Sequence, residues 1–133
     1  MKSKLKLIAF PIFIPGVRAI TTTRNSGFSE SPFNSFNLSQ HVGDDPQKVR
    51  QNRNLLQEEL PGDQISWIKQ VHGERVVKGC PSDFPEADAQ WTSDRRLPLA
   101  ILTADCLPVV IADNTGSYVG VAHAGWRGLA SQL

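Results

Sequence analysis

The apolar residues of this chain arrive in short runs, and that pattern limits it to a fold built mainly from strands. Residues 65–71, 97–103, 107–112 and 118–122 are rich in β-branched side chains and bounded by turn formers such as Gly73, Asp113-Asn114, Gly116 and Gly125. Leu99-Ala100-Ile101-Leu102 and Val109-Val110-Ile111-Ala112 are almost continuously apolar, which predicts strands buried on both faces. Residues 17–23, a run of Thr and Ile, suit a further strand, and from Asn25 to Gly43 the mixture of Ser, Asn, Pro, Gly and Phe reads as a long irregular loop. One helix stands out over residues 46–60. Asp45 can cap it, Pro46 suits its first turn, Val49, Leu56 and Leu60 share a face with Leu55 beside them, and Pro61-Gly62 stops it. Its other face, with Lys48, Arg50, Gln51, Arg53, Gln57 and Glu58, reads as solvated surface. A layered α+β or α/β core follows, and the expected form is α+β, mixed β-sheet layers with flanking helices.

A length of 133 residues, 40% hydrophobic, fits one domain with one core. Fourteen basic against thirteen acidic residues leave a net charge of +1, too little field to hold nucleic acid or an anionic membrane, so neither partner is expected. The start, Met1 to Lys6 followed by the apolar stretch to Ile14, is a poor signal peptide. Lys6 and Pro11 interrupt it, Pro15-Gly16 closes it, and no small-x-small cleavage site follows. No run approaches the ~18–20 apolar residues that span a bilayer. Two cysteines, Cys80 and Cys106, are too few for a disulfide framework and read as reduced thiols of a cytoplasmic protein, Cys80 being an incidental loop residue.

The apolar runs are followed closely by chemistry-bearing side chains: His72 after Val71, Cys106 after Ala104-Asp105, and His123 after Ala122. Strand ends are where a rigid backbone presents side chains to a cleft. Two imidazoles and a thiolate make a transition-metal set, most simply zinc with three protein ligands and an open fourth position; Cys80 and His41 are the remaining candidates to close it. The same atoms also suit a Cys106 nucleophile with His72 or His123 as base and Asp105 or another acid as orienter. Spacing alone does not separate these readings from a buried thiol and ordinary polar histidines. Gly125-Trp126-Arg127-Gly128 follows a strand and precedes an expected helix at Leu129, so its N–H groups and Arg127 can meet an anion such as phosphate. Arg24 is a comparable candidate. Each has an ordinary alternative, a tight turn for the glycines and a surface ion pair for Arg24.

Thr21-Thr22-Thr23-Arg24, Phe36-Asn37-Leu38, His41-Val42-Gly43-Asp44-Asp45-Pro46, Asn52-Arg53, Gln70-Val71-His72-Gly73, Ala87-Asp88-Ala89, the stretch from Leu102 through Asp105-Cys106-Leu107-Pro108 to Val109, and His123-Ala124-Gly125-Trp126-Arg127-Gly128 occur in this order. Together they resemble the purine nucleoside phosphorylase family formerly called multicopper polyphenol oxidoreductase, or laccase-like, which includes bacterial peptidoglycan-editing factors. The resemblance implies that His72, Cys106 and His123 are metal ligands, usually to zinc, with copper in the laccase-like reading. It implies phosphorolysis of adenosine, inosine and methylthioadenosine, with adenosine deamination, so that a purine nucleoside and phosphate are the expected small-molecule partners. Arg24 and Arg127 are the substrate-binding candidates for phosphate, and Asp105 the candidate catalytic residue for handling a proton. The alternatives are a Cys-His hydrolase or amidase editing peptidoglycan precursors and a copper-dependent polyphenol oxidase. Residues 1–133 are expected to be the N-terminal half of the family's single domain, truncated part-way, which puts turnover in question while leaving all three ligands in place.

Overall fold

The computed structural model describes residues 5–125 and Ala130. The architecture is α+β, a helix and two sheets, with the named elements in the order β1 (Leu7–Ala9), β2 (Ile20–Thr22), α1 (Pro46–Glu59), β3 (Val76–Lys78), β4 (Ala89–Thr92), β5 (Leu107–Ala112) and β6 (Val119–Ala124). They fall into two compact units, residues 5–12 with 18–61 and residues 13–17 with 62–125. No described helix is long and apolar enough to cross a membrane.

In the first unit the apolar stretch near the N-terminus becomes β1, antiparallel to β2 with Ile8 opposite Thr21. The strand expected over residues 17–23 is therefore shorter. Asp45 caps α1 as expected: its carboxylate accepts the Gln47 N–H at 2.9 Å, and Pro46 fills the first turn. Val49 and Leu56 are buried, as is Phe36 from the loop. Asn52 is buried among them. Its Nδ2 donates to Ser29 Oγ (2.9 Å) and the Asn37 carbonyl (2.8 Å), and its Oδ1 accepts the Phe28 N–H (2.7 Å). The solvated face expected of α1 is likewise interrupted at Arg53, which is half-buried and donates to the Leu38 carbonyl at 2.9 Å; burial lowers its pKa to about 10. The long loop is thus held by side chains of α1 in place of a ladder.

The second unit is built on a four-stranded mixed sheet in the order β3-β4-β6-β5, parallel between β3 and β4 and antiparallel elsewhere. The strands expected over residues 65–71 and 97–103 do not form as such; they make isolated bridges, Ser66 to Leu99 and Lys69 to Glu86. Side-chain amides replace the ladder there. Gln70 clasps the Leu102 backbone, donating to its carbonyl (2.7 Å) and accepting from its N–H (2.6 Å), and Gln90 donates to the carbonyls of Ser66 (2.9 Å) and Ala100 (2.8 Å). Burial on both faces also fails for β5, a sheet edge, whose Ile111 is 62% exposed. An edge position also explains how Pro108, which has no N–H, is accommodated in it. The helix expected at Leu129 lies outside the described residues.

Candidate metal centre

Sheet register brings the site together. β5 and β6 pair with Leu107 opposite Ala124, so Cys106, one residue earlier, meets the chain at Gly125. β4 and β6 pair with Ala89 opposite Ala122, and one step on, the His123 N–H donates to the Asp88 carbonyl at 2.7 Å. β3 runs parallel to β4, and just before it the Asp88 N–H donates to the Arg75 carbonyl at 3.1 Å. The starts of β3, β4 and β5 and the end of β6 therefore lie at one end of the sheet. His72 is in the turn that leads into β3, and Cys106 directly precedes β5. His123 lies inside β6, whereas the sequence suggested a position just after the strand.

The ligand atoms of His72, Cys106 and His123 lie within 4.8 Å of one another, and the two imidazoles meet edge to face with ring centroids 4.8 Å apart. His123 is buried, Cys106 half-buried and His72 exposed, so the cluster opens toward solvent on the His72 side. Its chemistry fits zinc or copper: two borderline nitrogens and one soft sulfur, with no fourth His or Cys joining them among the described residues. Ligand atoms this close together would suit a single ion held by all three residues. Cys80 is exposed; its thiol lies 3.3 Å from Ser82 Oγ, and the Ser82 hydroxyl and N–H lower its pKa.

Asp88, absent from the candidates chosen on sequence, is fully buried beside the cluster. Its Oδ2 is 2.8 Å from His123 Nδ1 and accepts the His72 N–H at 3.0 Å; its Oδ1 accepts the N–H groups of Val71 (3.1 Å) and Gly73 (2.8 Å). Burial alone raises the pKa of such a carboxyl, but the bonds from His123 and from the Gly73, Val71 and His72 N–H groups outweigh it and leave the pKa lowered. The sequence did carry one signal: Ala87-Asp88-Ala89 is among the ordered blocks that carry the family resemblance.

The remaining candidates are placed as follows. Asp105 is exposed next to Cys106. Arg24 is exposed in the first unit, where its Nε and Nη2 both donate to the Asn34 carbonyl at 3.2 and 3.0 Å. Arg127 and its flanking Trp126 and Gly128 lie outside the described residues.

Residues 18–133 match the family described as multi-copper polyphenol oxidoreductase laccase. The purine nucleoside phosphorylase PA4543 of Pseudomonas aeruginosa is 50% identical over 115 residues, covering 86% of this chain and 47% of its own length. The purine nucleoside phosphorylase YfiH of Escherichia coli is 42% identical over 120 residues, covering 87% and 49%. Among solved structures, protein NMB0706 of Neisseria meningitidis superposes with a TM-score of 0.85 at 39% identity, over 97% of this chain and 53% of that one. YlmD of Geobacillus stearothermophilus gives 0.81 at 36% identity, over 89% and 48%. The chain thus spans about half the length of the relatives it matches. With its matched region covering most of the sequence, the chain belongs to the multi-copper polyphenol oxidoreductase laccase family.

Proposed function

We propose that this chain carries the metal-binding half of a purine nucleoside phosphorylase that cleaves adenosine, inosine and methylthioadenosine with phosphate and also deaminates adenosine. The observation that carries it is the convergence of His72, Cys106 and His123 from three separate stretches, in a chain half identical to a protein named purine nucleoside phosphorylase. His72, Cys106 and His123 hold the ion, zinc in this reading, with copper the other metal the donors suit. When bound, zinc supplies Lewis-acid polarisation and an acidified water. The protein's own groups do the rest. Arg24 and Arg127 are assigned to the phosphate, whose oxygen bonds to the ribose anomeric carbon as the bond to the purine nitrogen breaks. Asp105, exposed at the rim, is assigned to carry a proton to or from the departing base or amine.

The test joins elemental analysis of the dialysed protein to an assay of phosphate-dependent release of hypoxanthine from inosine. About one zinc per chain is expected, and Cys106→Ala is expected to lose both metal and release. A metal-free Cys106→Ala protein that keeps full activity overturns the proposal. The 2.8 Å contact between His123 Nδ1 and Asp88 favours one other reading, a Cys106 nucleophile with His123 as base and Asp88 as orienter, acting as an amidase on peptidoglycan precursors. Alkylation separates the two. A metal-held thiolate resists the reagent until a chelator is added, whereas a free nucleophile reacts at once.

A further inference from the structure

We infer that Asp88 is the positioning residue of this centre: its single carboxylate fixes the tautomer of His123 and folds the turn that presents His72. The inference rests on the metal-site reading above, but its structural half stands on hydrogen bonds within the chain.

A carboxylate offers about four acceptor positions on two oxygens. Asp88 uses all four: Val71 and Gly73 N–H on Oδ1, His72 N–H and the His123 ring on Oδ2. Three of the four come from backbone N–H groups, which can only donate and so favour the carboxylate anion, an acceptor alone. The His123 ring must then donate through Nδ1, which leaves the Nε2 lone pair as the atom available to the ligand cluster. Among the described residues this buried group has no Lys or Arg as ion-pair partner, and its one side-chain partner is the His123 ring.

The same carboxylate explains the backbone at His72. Its φ of 59° is in the left-handed region, uncommon for a residue with a side chain. In that conformation the N–H groups of Val71, His72 and Gly73 converge, forming the kind of concave nest that binds anions. Here the nest is filled by Asp88. One candidate ligand is thereby held through its ring and the other through its backbone.

The experiment uses histidine labelled with nitrogen-15 in metal-free protein, at a pH where the ring is neutral, together with cobalt(II) titration. His123 in the wild type is expected as the Nδ1–H tautomer. In Asp88→Asn the amide can donate to Nδ1, so the Nε2–H form is expected to gain population and cobalt affinity to fall roughly 10- to 100-fold. A wild-type Nε2–H tautomer, or an Asp88→Asn protein with unchanged tautomer and affinity, overturns the inference. Should Asp88→Asn fail to fold, the wild-type spectrum decides alone. Should the wild type bind no cobalt, the metal reading fails, while the tautomer in the metal-free protein still decides the role of Asp88.

Discussion

Gly125 shows how little room the ligand cluster leaves. A β-carbon built on it would lie 3.1 Å from Cys106 Sγ and 3.5 Å from His72 Cδ2. Either the sulfur or the backbone must then give by a few tenths of an ångström, and a site of this kind tolerates errors of only about half an ångström. Gly125→Ala is accordingly expected to weaken zinc binding by about tenfold while the fold persists, measured by competition with a coloured chelator. Unchanged affinity would mean that Cys106 moves freely, against a tightly positioned thiolate. At this scale His72, Cys106 and His123 could be picked as candidates because His and Cys carry metal and nucleophile chemistry, but spacing left the metal reading open and the family resemblance supplied it. Asp88 could not be. A buried carboxylate is recognised by what donates to it, and its donors come from the turn before β3 and from β6, a juxtaposition that exists only once the sheet has paired.

The helix α1 was readable almost to the residue, since an Asp-Pro start, a Pro-Gly stop and an apolar face are local signals. Its role was less so. Asn52, a neutral polar residue, is the most buried position on it and ties the 28–37 loop through its amide. Truncating it leaves several buried loop groups without partners, so Asn52→Ala is expected to cost about 2–4 kcal/mol. Urea titration followed by the helical circular dichroism signal checks this; a loss well under 1 kcal/mol would show that water replaces the amide. The strands were harder to read. β3 and β4 were missed because Val-Val-Lys and Ala-Gln-Trp-Thr carry no long apolar signal, while 65–71 and 97–103 looked like strands yet make only single bridges. What distinguishes them is the bonding of Gln70 and Gln90 to distant backbone, which no local periodicity encodes.

On the scale of the whole molecule, every member of the cluster and Asp88 itself belong to the second unit, as do Trp67 and Trp91. The three ligands come from segments far apart in sequence, so an ion that joins them binds the folded unit and has little to hold in the unfolded chain. Linkage then fixes the sign: zinc bound at this cluster would raise the stability of that unit, by about 2.7 kcal/mol when free zinc is a hundred times the dissociation constant. For a unit of this size that shifts the midpoint of thermal unfolding by on the order of 10 °C. Tryptophan fluorescence reads the second unit through Trp67 and Trp91, and helical circular dichroism reads α1 in the first. The expected result is a zinc-dependent rise in the fluorescence midpoint, reversed by chelator and absent in Cys106→Ala. An equal rise in Cys106→Ala would place the ion elsewhere. No rise in the wild type would count against the metal reading and leave the thiol-nucleophile reading to the alkylation experiment.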